Sequence, residues 1–377
     1  MELGFTKEQQ ILKASARDFL KKECPLSMMR EMQVDTKGFS RNVWKKMAEL
    51  GWLGIIIPEE YEGTGGNFID LAILLESMGE VCCPGPFFST VVLGGMTLLW
   101  AGSESWKKEL LPRLADGNMI LSMALMEPGM GCNPKGMRAK IESKGNDYIL
   151  TGTKLFVENA HICDFLLCVA GEETGPSSRK ELRILLVDPR SPGIHLTPLD
   201  TLAYEKQCEV VFDHVKVPKE NALGLEGEVS QILEKLHEHA AVAKCAELLG
   251  IIQTSFSKSV SYAKERKQFG RPIGGFQAIQ HHCADMVVAV DGARFMTYKA
   301  AWKLSVNQPA GMEASMAKAW TSEASRKVTV LAHQIHGAIS FCDEHDIHLY
   351  YRKAKAGEIA FGDGNHHLEK VASRLGL

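Results

Sequence analysis

Arg266, Phe269, Gly270 and Gln277 fall in one short stretch, YAKERKQFGRPIGGFQ, spanning residues 262–277. A guanidinium can fork onto a phosphate, an aromatic ring can lie against a base, and a glycine lets backbone come close to a ligand. This equipment suits a nucleotide cofactor, and it equally suits an ordinary helix–helix turn with solvated charges. A second stretch, LHEHAAVAKCAELLG at 236–250, carries Glu238 between His237 and His239. Glu238 is a candidate base or a plain solvent-facing acid. The two histidines lack the i, i+4 spacing of a helical metal pair. His281-His282, His345 with His348, and His366-His367 join no recognisable ligand set either, so no metal is expected.

The elements that must hold these residues change character along the chain. Up to about residue 115 apolar residues recur at helical spacing, with Phe5, Ile11, Leu12 and Phe19 and later Trp44, Met47, Leu50 and Leu53. Breaks come at 35–40, at 58–66 and at Pro84-Gly85-Pro86. Between about 120 and 225 the period becomes alternating. Strands are predicted at 120–126, 138–142, 148–151, 165–170, 183–187 and 207–217, separated by turns such as Lys144-Gly145-Asn146-Asp147 and Ser191-Pro192-Gly193. From Glu228 helical spacing returns, broken at 270–275, 308–309, 337–340 and 362–364. The predicted divisions are 1–118 helical, 119–226 a β-barrel or sandwich, and 227–377 a helical bundle.

With 377 residues the chain has ample length for a large core. A net charge of -3 provides no basic face for nucleic acid, which leaves small molecules and proteins as partners. The N-terminal stretch is amphipathic and mixed in charge, and no apolar run reaches spanning length, so a cytoplasmic protein is expected. The ten cysteines are scattered through apolar contexts, as buried free thiols are.

Six stretches carry a family resemblance. ERKQFGRPIGGFQ resembles a signature of the acyl-CoA dehydrogenases, and IPEEYEGTGG resembles their first-domain loop P-x-x-[YF]-G-G-x-G, with Glu62 in place of the first Gly. Residues 123–134, MALMEPGMGCNP, resemble the flavin-facing A-x-T-E-P-x-A-G-S-D, keeping Glu127-Pro128-Gly129 but replacing Thr with Met126 and Ser-Asp with Cys132-Asn133. Residues 152–160, GTKLFVENA, resemble G-x-K-x-[WF]-[IV]-[TS]-N, with Glu158 where a hydroxyl is usual. Near the end, Gln334-Ile335-His336-Gly337-Ala338 resembles Q-x-x-G-G, and Phe361-Gly362-Asp363-Gly364-Asn365 stands where most members have Y-E-G-T.

The resemblance runs essentially end to end and implies an α+β multidomain fold: an N-terminal helical domain, a middle β-barrel or sandwich and a C-terminal four-helix bundle. It implies FAD, an acyl-CoA substrate, an electron-transferring flavoprotein as acceptor, and a dimer or tetramer, because cofactor contacts come from two chains. Arg266, Phe269, Gln334 and Gly337 would hold the AMP and pyrophosphate side. Met126, Phe156 and Glu158 would face the flavin ring, and Asn365 is also placed at the cofactor. A carboxylate at the arriving hydride would oppose reduction, so Glu158 is expected to be protonated when the cofactor is bound. Aligned on Gly364, Asp363 takes the place of the Glu that removes the α-proton; it also suits the N-cap of the following helix. Ala240 and Ala241 stand where members carry an alternative base and an Arg. Cys132, Thr90 and Gly94 fall on the substrate side, where Gly94 and Gly95 would leave room for a wide acyl group or would serve helix packing. The turn PGPFF with HLYYRKAK and FGD looks like a branch acting on bulky or alicyclic acyl-CoAs, some of whose members are hetero-oligomers. Two other readings stay open: the same fold carrying out 1,4-dehydrogenation or a decarboxylating or desulfinating elimination, and a non-catalytic subunit of a hetero-oligomer.

Overall fold

The computed structural model describes residues 4–131, 136–174, 179–225 and 227–377. Helices come first: α1 (Lys7–Glu23), α2 (Leu26–Val34), α3 (Arg41–Glu49), α4 (Phe68–Glu80), α5 (Met96–Ala101) and α6 (Glu104–Ala115). Strands follow: β1 (Leu121–Ala124), β2 (Lys140–Lys144), β3 (Asp147–Glu158), β4 (Phe165–Thr174), β5 (Arg179–Val187), β6 (Ile194–Leu199), β7 (Gln207–Pro218) and β8 (Ala222–Leu223). The 37-residue α7 (Val229–Glu265) leads to a two-stranded ribbon of β9 (Lys267–Gln268) and β10 (Arg271–Pro272). Four helices complete the chain: α8 (Gln277–Ser305), α9 (Gly311–His336), α10 (Ile347–Ile359) and α11 (Gly364–Arg374). The order helices, strands, helices is the one the change of period predicts.

The chain forms two compact units. The helical unit comprises Met1–Glu31, Asn67–Cys83 and Glu238–Leu377. Its core is built from Leu249 and Ile252 of α7, Met286, Val290 and Ala293 of α8, Val328, Ala332 and Ile335 of α9, and Ile347 of α10. The run Ala240–Ala246 of α7 is buried all round, so this helix is a central rod rather than an amphipathic face. Gly79 of α4 and Gly250 of α7 let the two backbones touch: a Cβ on either would come within about 2 Å of Glu247 O or Glu76 O. Caps start the helices where short polar side chains stand: Thr6 with Gln9 forms a capping box on α1, and Asn67 with Asp70 forms another on α4.

The other unit comprises Met32–Gly66 and Pro84–His237. Its sheet runs β6-β7-β3-β2-β4-β5-β8, with β1 added parallel to β4. β7 alternates, burying Cys208, Val210 and Phe212, whereas β4 is buried continuously from Leu166 to Ala170 because both its faces are covered. Two strands of this sheet, β6 and β8, lie beyond the six predicted. β6 follows the Ser191-Pro192-Gly193 turn and includes Pro198, which its place at the edge of the sheet tolerates; β8 is only two residues long. Residues 88–95, expected beside the substrate, form a π-helical stretch in which every residue is buried. No helix of the described residues is long and apolar enough to cross a membrane.

Candidate active site

In the sheet-containing unit, β3 pairs with β7, but its register slips by one residue between Lys154 and Val157. The bulge puts Phe156 at φ 55, outside the strand's in-and-out alternation, and leaves its ring 56% exposed. A large aromatic held in solvent by a left-handed backbone is a costly arrangement in a chain with no ligand to meet. The end of β1 lies alongside. Ser122 Oγ donates to the Glu158 carbonyl (2.5 Å), and the Leu155 N–H donates to the Met126 carbonyl (2.9 Å). Met126 of one motif is thus brought beside the strand that carries Phe156 and Glu158 of a second. Cys132 lies outside the described residues.

Sequence reasoning gave no role to the charged pair beneath them. Lys154 is fully buried, and its Nζ donates to Glu127 Oε1 (2.6 Å) and to the Leu125 carbonyl (3.2 Å). Glu127 also accepts the N–H groups of Arg138 (2.5 Å) and Ala139 (3.0 Å). Burial pushes the Glu127 carboxyl up, but Lys154 and the two amides outweigh it and hold the group below the usual carboxylate range. One carboxylate therefore clasps both ends of the loop that begins at Met126. The signal was a lysine inside an alternating strand, which is a surface residue in most strands and here points inward.

Thr90 and Gly94 do not open a wide pocket. The Thr90 hydroxyl donates to the Leu121 carbonyl (3.3 Å) and accepts the Leu121 N–H (3.2 Å), with no exposed surface left. A Cβ on Gly94 would come within 2.5 Å of Leu121 Cβ. Close packing on β1 accounts for that glycine, and the inference of room for a wide acyl group does not stand on it.

In the helical unit, the loop predicted between α7 and α8 is a tight hairpin. Lys267-Gln268 pairs with Arg271-Pro272 across Phe269-Gly270, both at positive φ (52 and 77). This is the mirror-image two-residue turn that matches strand twist, with Phe at a position that usually takes Asn or Gly. Phe269 is 91% exposed, and Arg266, also exposed, makes no ion pair among the described residues. The ring of Tyr262, one turn before Arg266, stacks on His336 at 4.5 Å. That contact joins the C-terminal ends of α7 and α9, so Arg266 and Phe269 share an end of the bundle with Gln334 and Gly337. Gln334 is exposed, and Gly337 sits at φ 68, ψ -149, a conformation reserved for glycine, with nothing within 4 Å of where a Cβ would be. A cavity of about 420 Å³ opens there, lined by Lys258, Tyr262, Glu265, His336, His345 and Asp346.

Asp363 is the N-cap of α11. Its Oδ1 accepts the His366 N–H (2.9 Å), and the residue is exposed. The preceding turn has Phe361 at φ 56 and Gly362 at φ 91. His367 Nε2 bonds the Phe361 carbonyl (2.8 Å), and burial pushes the His367 imidazole down to about 4. Asn365 is exposed in the first turn of α11. Glu238 is ion-paired with Arg374 (2.9 Å). Ala240 and Ala241 have no exposed surface. Among the described residues no group of three or more His, Cys, Asp or Glu side chains could hold a metal.

Comparison with known proteins matches three family descriptions: "Acyl-CoA dehydrogenase, N-terminal domain" over residues 6–118, "middle domain" over 122–215 and "C-terminal domain" over 230–376. The chain is 35% identical to "Probable acyl-CoA dehydrogenase YngJ" of Bacillus subtilis, covering 98% of each chain. It resembles butyryl-CoA dehydrogenase of Megasphaera elsdenii in structure, with TM-score 0.92, 26% identity and full coverage of both chains. A chain in the structure described as "Electron transferring flavoprotein of Acidaminococcus fermentans" matches at TM-score 0.91 and 28% identity, over 100% of this chain and 99% of that one. The chain belongs to the acyl-CoA dehydrogenase family, oxidoreductases that act on CH–CH groups with a flavin acceptor, and its cofactor is FAD. The residues fit that cofactor: two rings exposed on left-handed backbone, an exposed guanidinium with no ion pair among the described residues, and an open glycine position are what an aromatic dinucleotide requires.

Proposed function

We propose that the chain is a catalytic acyl-CoA dehydrogenase subunit that removes an α-proton and a β-hydride from a bulky or alicyclic acyl thioester, giving the enoyl-CoA. What carries this reading is the retained cofactor-facing geometry, with Phe156 pushed out of β3 beside a loop clasped by Glu127 and Lys154. Bound FAD supplies the two-electron acceptor for the β-hydride. Arg266, Phe269, Gln334, Gly337 and Asn365 hold its nucleotide side, and Met126, Phe156 and Glu158 lie along its ring. Cys132, Thr90 and Gly94 belong to the substrate side, Thr90 and Gly94 by shaping its wall. Asp363 takes the α-proton on Oδ2, the oxygen not engaged by the His366 amide. The bulky substrate class rests on the PGPFF and FGD resemblance. Electrons pass on to an electron-transferring flavoprotein, and the protein works as a dimer or tetramer whose neighbouring copy completes each cofactor site. The domain divisions stay at 1–118, 119–226 and 227–377.

The test is the visible spectrum of the purified protein, followed by anaerobic addition of linear, branched and alicyclic acyl-CoAs. Bleaching by one class supports the reading and identifies the substrate; bound flavin that no thioester reduces defeats it. Glu158→Thr is expected to raise the flavin midpoint potential at alkaline pH, because a hydroxyl cannot ionise beside the reduced ring. Potential and turnover both unchanged would remove Glu158 from the site.

One observation favours a second reading. Asp363 is already occupied as a helix cap, a role Ser, Thr or Asn would fill as well, so its presence alone does not establish a base. In that case the chain is the non-catalytic subunit of a hetero-oligomer. A colourless protein that co-purifies with a second, flavin-bearing chain is the outcome that reading expects.

A further inference from the structure

Lys318 lies on α9 with no exposed surface. Its Nζ donates to the Glu358 carbonyl in the last turn of α10 (2.8 Å), to the Gly362 carbonyl (2.9 Å) and to Ser322 Oγ (2.9 Å). Ser322 Oγ in turn donates to the Glu358 carbonyl (3.3 Å). All three acceptors are neutral, so this is a buried ammonium with no carboxylate in contact, an expensive way to fill a core position. What the ammonium does is span two segments. It satisfies a carbonyl at the end of α10 that has no partner further along the helix, and it pins the left-handed Gly362 one residue before Asp363. From the other side His367 holds the Phe361 carbonyl, and a Cβ at Gly362 would strike His366 Cδ2 at 2.5 Å.

We propose that Lys318 is the positioning residue of the turn that carries Asp363, fixing through the Glu358 and Gly362 carbonyls where that carboxylate sits. The inference rests on the reading of Asp363 as the base. It makes the reaction sensitive to the protonation of Lys318. Burial pushes the amine down to about 8, with Cys245 and Lys244 on α7, Glu358 on α10, Asp363 at the start of α11 and His366 and His367 on α11 as the charged or titratable groups facing it. The neutral amine has two N–H groups for three acceptors, so the turn loosens as the proton leaves. A displacement of order 1 Å at a reacting group can cost about a hundredfold in rate.

The experiment is the rate of anaerobic flavin bleaching by a responsive acyl-CoA from pH 6.5 to 9.5, for wild type, Lys318→Met, Ser322→Ala and Asp363→Asn. Wild type is expected to lose rate several-fold around pH 8. Lys318→Met should be slow at every pH and lack that limb, with KM and flavin content near wild type. Ser322→Ala, which takes one acceptor from the ammonium, should move the limb to lower pH. A Lys318→Met protein with wild-type rate and limb overturns the inference while Asp363→Asn is still slow. Should Lys318→Met fail to fold, a wild-type profile that is flat through pH 8, or a Ser322→Ala limb that stays in place, overturns it instead. Asp363→Asn bleaching as fast as wild type shows that the base reading failed, and the inference falls with it.

Discussion

Asp363→Asn is expected to keep the flavin spectrum and the melting temperature of the wild type while slowing anaerobic bleaching by acyl-CoA about 10²–10⁴-fold, the usual contribution of a positioned general base. The substitution separates two jobs that one side chain performs. Asn and Asp are close to equal as N-caps, so the bond from the His366 N–H survives and α11 stays in place. A neutral amide, however, cannot accept the α-proton. Asp363→Ala would remove both functions at once, with about 1 kcal/mol of capping lost, and could not tell them apart. Stopped-flow absorbance of the Asn variant with its best substrate is the deciding measurement. An unchanged rate would leave Asp363 as a cap alone and would turn attention to a partner chain as the source of the base.

Lys154→Met is expected to lower stability by about 3–5 kcal/mol and to empty much of the flavin site. Removing one member of a fully buried ion pair leaves the other charge without compensation, which is the costly way to break it. Glu127 would retain two amide donors but lose the Lys154 ammonium at 2.6 Å, and the loop it closes would lose its fixed ends. A loss of that size lowers the melting temperature by roughly 10 °C. The flavin-to-protein ratio and the melting curve, measured together with the double variant Lys154→Met/Glu127→Gln, check the argument. Because the double variant leaves no buried unpaired charge, it should be more stable than Lys154→Met alone. A single variant that melts like wild type with full flavin would show that the loop is held by something else.

The fold was largely legible because hydrophobic period is a local property. The change from helical to alternating spacing near 120, and its return near 228, is written in residue types alone. What was not legible depends on burial or on backbone sign. Lys154 and Lys318 belong to the type least often buried; alternation marks Lys154 only once its strand is seen to run past residue 151, and nothing local marks Lys318. The ribbon at 267–272 passed for a plain loop because Phe269 stands where Asn or Gly would have announced the turn. The bulge at Phe156 likewise needs the register of β7 to be seen. For Gly94 the sequence allowed both a roomy pocket and close packing, and only the proximity of Leu121 separates them.

The helical unit is assembled from three stretches of chain that are far apart in sequence, with α4 meeting α7 backbone to backbone at Gly79 and Gly250. During synthesis α4 therefore leaves the ribosome long before the helix it must touch. At about 5–20 residues per second, the intervening chain takes on the order of 10–30 s to appear. Throughout that interval the apolar run Leu71–Leu75, buried to 2% or less in the finished fold, has no native partner from α7. The vulnerable moment in making this protein is that wait, when α4 is available to chaperones and to neighbouring nascent chains alike.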